Sequence, residues 1–473
     1  MFALFSPAAQ SNILGILRRI LFFCGLFAVL LAAHLCHSRV LWEGEDLPLA
    51  VALQVQRGAA VYRDVWFDKP PLVPLIYLLW GAATGPVLRI AGAVYGLIAC
   101  MLAYAIGTRV WSKREGLLAA GFLAFFVTFD THSAVLPLGA DLLLLVPHLA
   151  AVLLVFRKQF FWSGFAAGVG FLCNAKAVFV LGACAIFAGA GILPLLAGFA
   201  LPCMAAAAWL MGTGALAPFI DQVWRWPAQY ANSPVVSDPI RNGLVRTLNW
   251  MGFHAVLVIG AGLCWWRERR WQWIAWATLC YAGVVLGWRF FPRYFLLLLP
   301  CLAIAAARGF AQVRSRALLA VACVAMAVPS VRFGPRYLQL GNWDDLAMDR
   351  DSRESAKLAL SLAGPGASLY VWGYRPEIFI YTGMRPATRY LESQAMTGVP
   401  ADRHLTQSTV VLTAGAREAR QELARSKPDV LIDGLSPFNP ALAMERYVEL
   451  KPWLTEYREV ARTKETILYL RRR

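Results

Sequence analysis

The feature that most constrains this chain is the length of its uncharged apolar runs. Between Lys176 and Asp221 there is no Asp, Glu, Lys or Arg, a stretch long enough for two membrane-crossing helices at about 20 residues each. Shorter runs of the same kind recur up to Arg332. With 59% hydrophobic and only 15% charged residues over 473 positions, the chain is too apolar for an ordinary soluble fold. The pattern predicts a polytopic α-helical membrane protein.

The charges punctuate these runs in a consistent order. Arg18 and Arg19 precede the first run, Ile20 to His37, which is expected to be an anchor with a cytoplasmic N-terminus. Dense basic clusters follow at Arg109–Arg114, Arg157–Lys158, Arg267–Arg270 and Arg308–Arg316. Segments with acids alternate with them. Placing the clusters inside gives about 11 spans, of which the second is expected over Pro86 to Thr108. The net charge of +17 therefore reads as topology signals and anionic-lipid contacts rather than a nucleic-acid surface. All ten cysteines fall inside apolar segments, and none pairs with a His at ligand spacing. They read as buried hydrophobes, not as disulfides or metal ligands.

One stretch departs from this background. From Trp42 to Trp80 the chain reads WEGEDLPLAVALQVQRGAAVYRDVWFDKPPLVPLIYLLW. Glu43, Glu45, Asp46, Arg63, Asp64, Asp68 and Lys69 crowd into one outer loop. Charge beside a bilayer is costly unless it faces water or has a task, so the cluster is a candidate functional site rather than a plain solvated loop. The run Leu47 to Arg57 predicts a surface helix, and Pro70-Pro71 opens a second apolar helix lying at the interface with Trp66 and Trp80 at headgroup level.

The order of these elements resembles a known family. An acidic pair at the start of the first outer loop, then Gly58, then Tyr62-Arg63-Asp64 and Lys69-Pro70-Pro71-Leu72, is similar to the polyprenyl-phosphate-sugar-dependent glycosyltransferases. That family includes protein O-mannosyltransferases and lipid A aminoarabinose transferases and has the C-type glycosyltransferase fold. It usually reads Asp-Glu, whereas this chain reads Glu43-Gly44-Glu45-Asp46; counting back from Gly58 puts Glu45 on the family's Glu and Gly44 on its Asp. The resemblance implies a lipid-linked sugar donor, inversion at the anomeric carbon, no nucleotide and no separate cofactor. It implies that Tyr62, Arg63 and Lys69 bind substrate, with Lys69 facing the phosphate. Asp141 matches a second acidic position. Lys176, after Gly164, Gly168 and Gly170, matches a basic one, and Arg293-Tyr294 matches a pair that opens a late span.

Sugar transfer from a lipid phosphate needs a carboxylate to take the acceptor proton and cations to hold the leaving phosphate. Glu45 is the expected base, with Asp46 and Glu43 as rivals. Lys69 could equally be a snorkelling interfacial lysine, and Asp141 a helix-start acid complementing the dipole. Lys176 interrupts about 40 apolar residues, where an isolated lysine faces a cavity or an anion. His132 lies outside with Asp130 and can face substrate or solvent.

Near Arg332 the composition becomes polar. Ser368–Trp372, Asp429–Asp433, Arg458–Ala461 and Thr466–Leu470 read as strands, and Ser352–Leu362 and Arg417–Ser426 as amphipathic helices. The expected organisation is a transmembrane catalytic domain, 1–332, and a small extracytoplasmic α/β domain, 333–473. The partners expected are a polyprenyl-phosphate sugar, membrane lipids and a glycan, lipid or protein acceptor outside the cell (inner) membrane. Two other classes fit the composition: a transporter or flippase of anionic or lipid-linked substrates, and a non-catalytic envelope assembly protein. A transporter would carry repeated halves and mid-membrane charges, and an assembly protein would not need the ordered acid and Lys-Pro-Pro series.

Overall fold

The computed structural model describes residues 7–130, 137–231, 238–338, 343–399 and 414–472. Among these, four helical segments are long and apolar enough to cross a membrane: Ile13–Leu35, Pro86–Val110, Ala177–Gly212 and Arg316–Tyr337. A fifth is reached if Pro239–Phe253 and Ala255–Glu268, bent by 87° at their junction, count as one span. The protein is thus a polytopic α-helical membrane protein. By length and composition these helices fall short of the expected count. Ala140–Phe156, Phe160–Phe171 and Leu299–Ala311 are apolar but shorter; a 12-residue helix is only about 18 Å long, against a hydrocarbon core of about 30 Å.

Glycine contacts show how the long segment Ala177–Gly212 runs. A Cβ on Gly164 would strike the Leu195 carbonyl, and one on Gly168 would lie 2.6 Å from that of Phe199. Residue numbers rise together along this contact, so Phe160–Phe171 and Ile192–Gly212 are parallel. The helix between them, Ala177–Ala188, must run back the other way. The reversal is at Gly189–Gly191, where Gly189 takes φ +54°, a conformation glycine adopts without steric cost. Small residues let these backbones approach closely, the packing that replaces hydrophobic drive within a bilayer.

At one end of the bundle, Arg308 pairs with Glu115 at 2.8 Å and Glu268 at 2.7 Å. This ties together the turns that carry the basic clusters Arg109–Arg114 and Arg267–Arg270. The acid-bearing loops gather elsewhere, and the C-terminal part of the chain covers them.

That part holds a mixed sheet of five strands: β1 Ser368–Trp372, β2 Arg385–Pro386, β3 Val430–Asp433, β4 Tyr457–Arg462 and β5 Ile467–Arg471. The order is β2-β1-β3-β5-β4, with β2, β1 and β3 parallel and β5 antiparallel to both β3 and β4. Leu369 to Trp372 and Val430 to Asp433 are all buried, as expected for strands covered on both faces. Arg375, buried, joins Asp351 at 2.9 Å and Glu465 at 2.7 Å, stapling helix Asp344–Ala363 to the β4–β5 hairpin.

The C-terminal part lies directly on the loop that follows the first long helix. Arg57 donates to the Gly383 carbonyl (2.9 Å), the Trp66 N–H to the Arg389 carbonyl (2.9 Å), and Gln394 to Asp68 (2.9 Å). One expectation is corrected here. The helix Asp46–Gln56 is not at the surface: Leu49 to Ala52 are fully buried, with Glu377–Thr382 packed against the helix. The second segment, Leu72–Trp80, is short and becomes a 3-10 turn, and it leaves Leu79 81% exposed, as an interfacial element would.

Candidate active site

Two neighbouring glutamates are sent in opposite directions by the turn between them. Gly44 sits at φ +96°, in the left-handed region that favours glycine. Its N–H donates to Asp46 Oδ1 (3.1 Å), and the Trp42 N–H donates to Glu45 Oε1 (2.9 Å). Glu45 is buried, and both its oxygens meet the Arg89 guanidinium, Nη1–Oε2 at 3.0 Å and Nη2–Oε1 at 2.5 Å. Arg89, one turn into Pro86–Val110, also reaches the Val40 carbonyl. Glu45, the expected base, therefore serves as half of a buried bidentate pair that fastens the loop to a span. Asp46 is also buried and holds the turn through Gly44 and its own helix start.

Glu43 points the other way, with its side chain 24% exposed and 3.3 Å from Arg293 Nη1. The same guanidinium lies 3.8 Å from Asp141 Oδ2. Asp141 accepts from Asn174 Nδ2 at 3.0 Å and faces Lys176 Nζ at 3.6 Å, a distance too long for a hydrogen bond and short enough for an ion pair. The Lys176 ammonium rests 3.0 Å from the centre of the Tyr294 ring, a cation–π contact. The two acidic segments touch: a Cβ on Gly139 would sit 2.5 Å from the Gly44 carbonyl oxygen. That contact places Glu43 and Asp141 on one guanidinium.

Lys69 completes the set. Its Nζ meets Asp68 at 2.6 Å, with the lysine side chain 45% exposed and the aspartate buried. The Tyr62 hydroxyl donates to the Lys69 carbonyl at 2.8 Å. Tyr62 is buried at φ +71°, and Gln222 pins it by accepting from the Phe67 N–H (2.9 Å) and donating to the Tyr62 carbonyl (2.8 Å). Tyr62 therefore supports the loop rather than facing an open site. Arg63 lies apart, its guanidinium on Asp64 and the Thr213 carbonyl.

The predicted residues thus sort themselves. Lys69, Lys176, Arg293, Tyr294 and Asp141 gather within electrostatic range of one another, and Glu43 joins them through Arg293. Glu45, Asp46 and Tyr62 build the walls behind them, and Arg63 belongs to the rim. His132 falls outside the described residues. Asp130 accepts from the Trp250 indole N–H at 3.0 Å and pairs with His254 at 2.9 Å. Sequence reasoning did not single out Arg89, Gln394 or Glu392. Arg89 carried a signal, a charge inside a predicted span; the other two lie in a polar segment where they do not stand out. Among the described residues no three His, Cys, Asp or Glu converge as metal ligands; six of the ten cysteines are buried, whereas Cys24 and Cys323 are exposed.

Burial pulls Lys176 down to about 8; Asp141 opposes the shift, and Arg293 and Lys69 add to it. The ammonium is charged below that value and neutral above it. Affinity for a phosphate monoester, already dianionic at these pH values, is expected to fall about tenfold between pH 7.5 and 9.5. Titrating undecaprenyl phosphate binding across that range checks this, and Lys176→Gln should flatten the curve.

No family model and no curated protein matches this sequence. Solved structures do. The chain is similar to ArnT from Cupriavidus metallidurans in the apo state, with a TM-score of 0.58 at 14% identity over 96% of this chain and 98% of that one. The same protein bound to undecaprenyl phosphate gives a TM-score of 0.57 at 14% identity, over 95% and 97%. The archaeal oligosaccharyltransferase AglB from Archaeoglobus fulgidus, in complex with an inhibitory peptide and a dolichol-phosphate, gives 0.51 at 10% identity, over 95% of this chain and 74% of that one. At such identities the likeness is one of architecture: the chain shares the fold of ArnT and AglB.

Proposed function

We propose that the protein is a membrane glycosyltransferase that moves a sugar from a polyprenyl-phosphate donor to a hydroxyl of an extracytoplasmic acceptor. The observation that carries this reading is the convergence of Lys69, Lys176 and Arg293 beside the carboxylates of Glu43 and Asp141. Cations beside a lipid-facing protein suit a lipid phosphate, and an accessible carboxylate beside them suits a base. The fold it shares with a protein solved with undecaprenyl phosphate supports the same donor class. In this reading residues 1–332 form the catalytic membrane domain with about 11 spans, the N-terminus is cytoplasmic, and residues 333–473 lie outside the inner membrane.

The chemistry follows from the placement. Glu43 takes the acceptor hydroxyl proton as its oxygen attacks the anomeric carbon. The bond from that carbon to the phosphate oxygen breaks, and the phosphate leaves with the electron pair. Lys69, Lys176 and Arg293 hold the growing charge. One displacement from the face opposite the phosphate inverts the configuration. Asp141 serves as the anchor that keeps Lys176 and Arg293 aimed. Glu45 is the weaker candidate for base, because freeing its carboxylate means breaking a buried ion pair.

Binding of undecaprenyl phosphate to the purified protein in nanodiscs tests this. Lys69→Ala and Arg293→Ala are each expected to weaken binding about 10- to 100-fold, the range of a charge-assisted hydrogen bond. Lys69→Arg should rescue only in part. The double variant should fall short of the summed losses if both side chains hold one phosphate. Unchanged affinity in both single variants overturns the phosphate assignment.

A further inference from the structure

The segment Arg389–Gln394 hangs over the site from the C-terminal part of the chain. Its backbone is held at one end by the Trp66 N–H on the Arg389 carbonyl and at the other by Gln394 on Asp68. Ser393 fixes the middle, its Oγ accepting from the Gly373 N–H at 2.8 Å. Glu392 lies between these anchors. It is 3% exposed, and its Oε1 has no hydrogen-bond partner among the described residues. A buried polar atom left unmatched is costly, and three local anchors do not leave this one there by slack.

What surrounds Glu392 indicates what it waits for. The charges that act on it are those of Asp68, Asp46, Lys69 and Glu43. Lys69 belongs to the proposed phosphate grip and Glu43 is the proposed base. During transfer the sugar ring must lie between these two groups, because its anomeric carbon is bonded to the phosphate on one side and attacked on the other. Glu392 lies two residues from Gln394, which donates to the same Asp68 oxygen that holds Lys69.

We infer that Glu392 is a sugar-contacting residue, its carboxyl group hydrogen-bonding a hydroxyl on the ring of the donor's sugar. The inference rests on the glycosyltransferase reading and adds a subsite to it. Burial and the neighbouring carboxylates of Asp68, Asp46 and Glu43 push the group well above the usual carboxylate range, with Lys69 opposing. When protonated, such a carboxyl both donates and accepts, matching a sugar hydroxyl. Its rigid mounting gives it a role in choosing among sugars, since a site built to bond one hydroxyl rejects rings that lack it.

The test compares two kinds of probe on the full chain in nanodiscs: bare undecaprenyl phosphate, and undecaprenyl phosphate carrying glucose, mannose or arabinose. Glu392→Ala is expected to weaken the tightest sugar-bearing probe about tenfold while bare undecaprenyl phosphate stays within about twofold. Glu392→Gln, which keeps a donor and an acceptor, should stay within about threefold of the natural protein for both. Glu392→Met, of similar volume without hydrogen bonding, replaces the alanine variant if that fails to fold. Equal losses on both kinds of probe, no loss on either, or a natural protein that binds no sugar-bearing probe better than the bare one overturns the inference. The parent reading fails by a different sign, when Lys69→Ala and Arg293→Ala leave bare undecaprenyl phosphate binding untouched.

Discussion

Glu43→Gln is expected to lower turnover about 10²- to 10⁴-fold, the usual contribution of a positioned base, with little change in folding. Its side chain is partly exposed and meets Arg293 at 3.3 Å, so losing its charge strands nothing in the interior. Binding of undecaprenyl phosphate should hold or tighten slightly, because Arg293 loses an anionic competitor. Single-turnover transfer measured beside equilibrium binding separates the two effects. If Glu43→Gln turns over normally while Asp141→Asn is dead, the proton goes to Asp141. If both remain active, the carboxylate-base mechanism is wrong.

The neighbouring acid should behave in the opposite way. Arg89→Ala leaves Glu45 as an uncompensated charge among Trp42, Leu138 and Tyr77, and breaking such a pair from one side costs about 3–5 kcal/mol. Thermal unfolding in detergent is expected to show that loss, together with lower yield. Glu45→Gln should show a smaller version of it. The pair Glu45→Gln with Arg89→Met should recover part of the loss, because neither charge is stranded. A Glu45→Gln protein of normal stability without transfer activity would restore Glu45 as the base and displace Glu43.

Which parts of this arrangement could be read in advance follows from where charge stands out. Lys69, Asp141, Lys176 and Arg293 are conspicuous because they interrupt or border apolar runs. Their gathering around one ring is not, because it depends on how Phe160–Phe171 and the hairpin after Lys176 are threaded. The strands of the C-terminal part fall within a residue or two of expectation at Ser368–Trp372, Val430–Asp433 and Ile467–Arg471, since β-branched and aromatic residues bounded by polar turns mark them well. Two-residue β2 has no such length to show. The choice between Glu43 and Glu45 was illegible for a conformational reason: the positive φ of Gly44 sets which carboxylate turns inward, and linear spacing carries no record of it. The buried state of Asp46–Gln56 was hidden for another reason, as its cover comes from residues more than 300 positions away.

The approach of Gly139 to Gly44 has a meaning beyond packing. The separation between the two carboxylates that share Arg293 is gauged by a missing methyl group. A single carbon on Gly139 would have to displace the Gly44 carbonyl, and the wedge would open the two acid-bearing segments like the jaws of a caliper. Arg293 would then reach one acid and let go of the other, and with it the orientation of the guanidinium proposed to hold phosphate would be lost. The calibration of this site resides in two residues with no side chain, neither of which could ever touch a substrate through one.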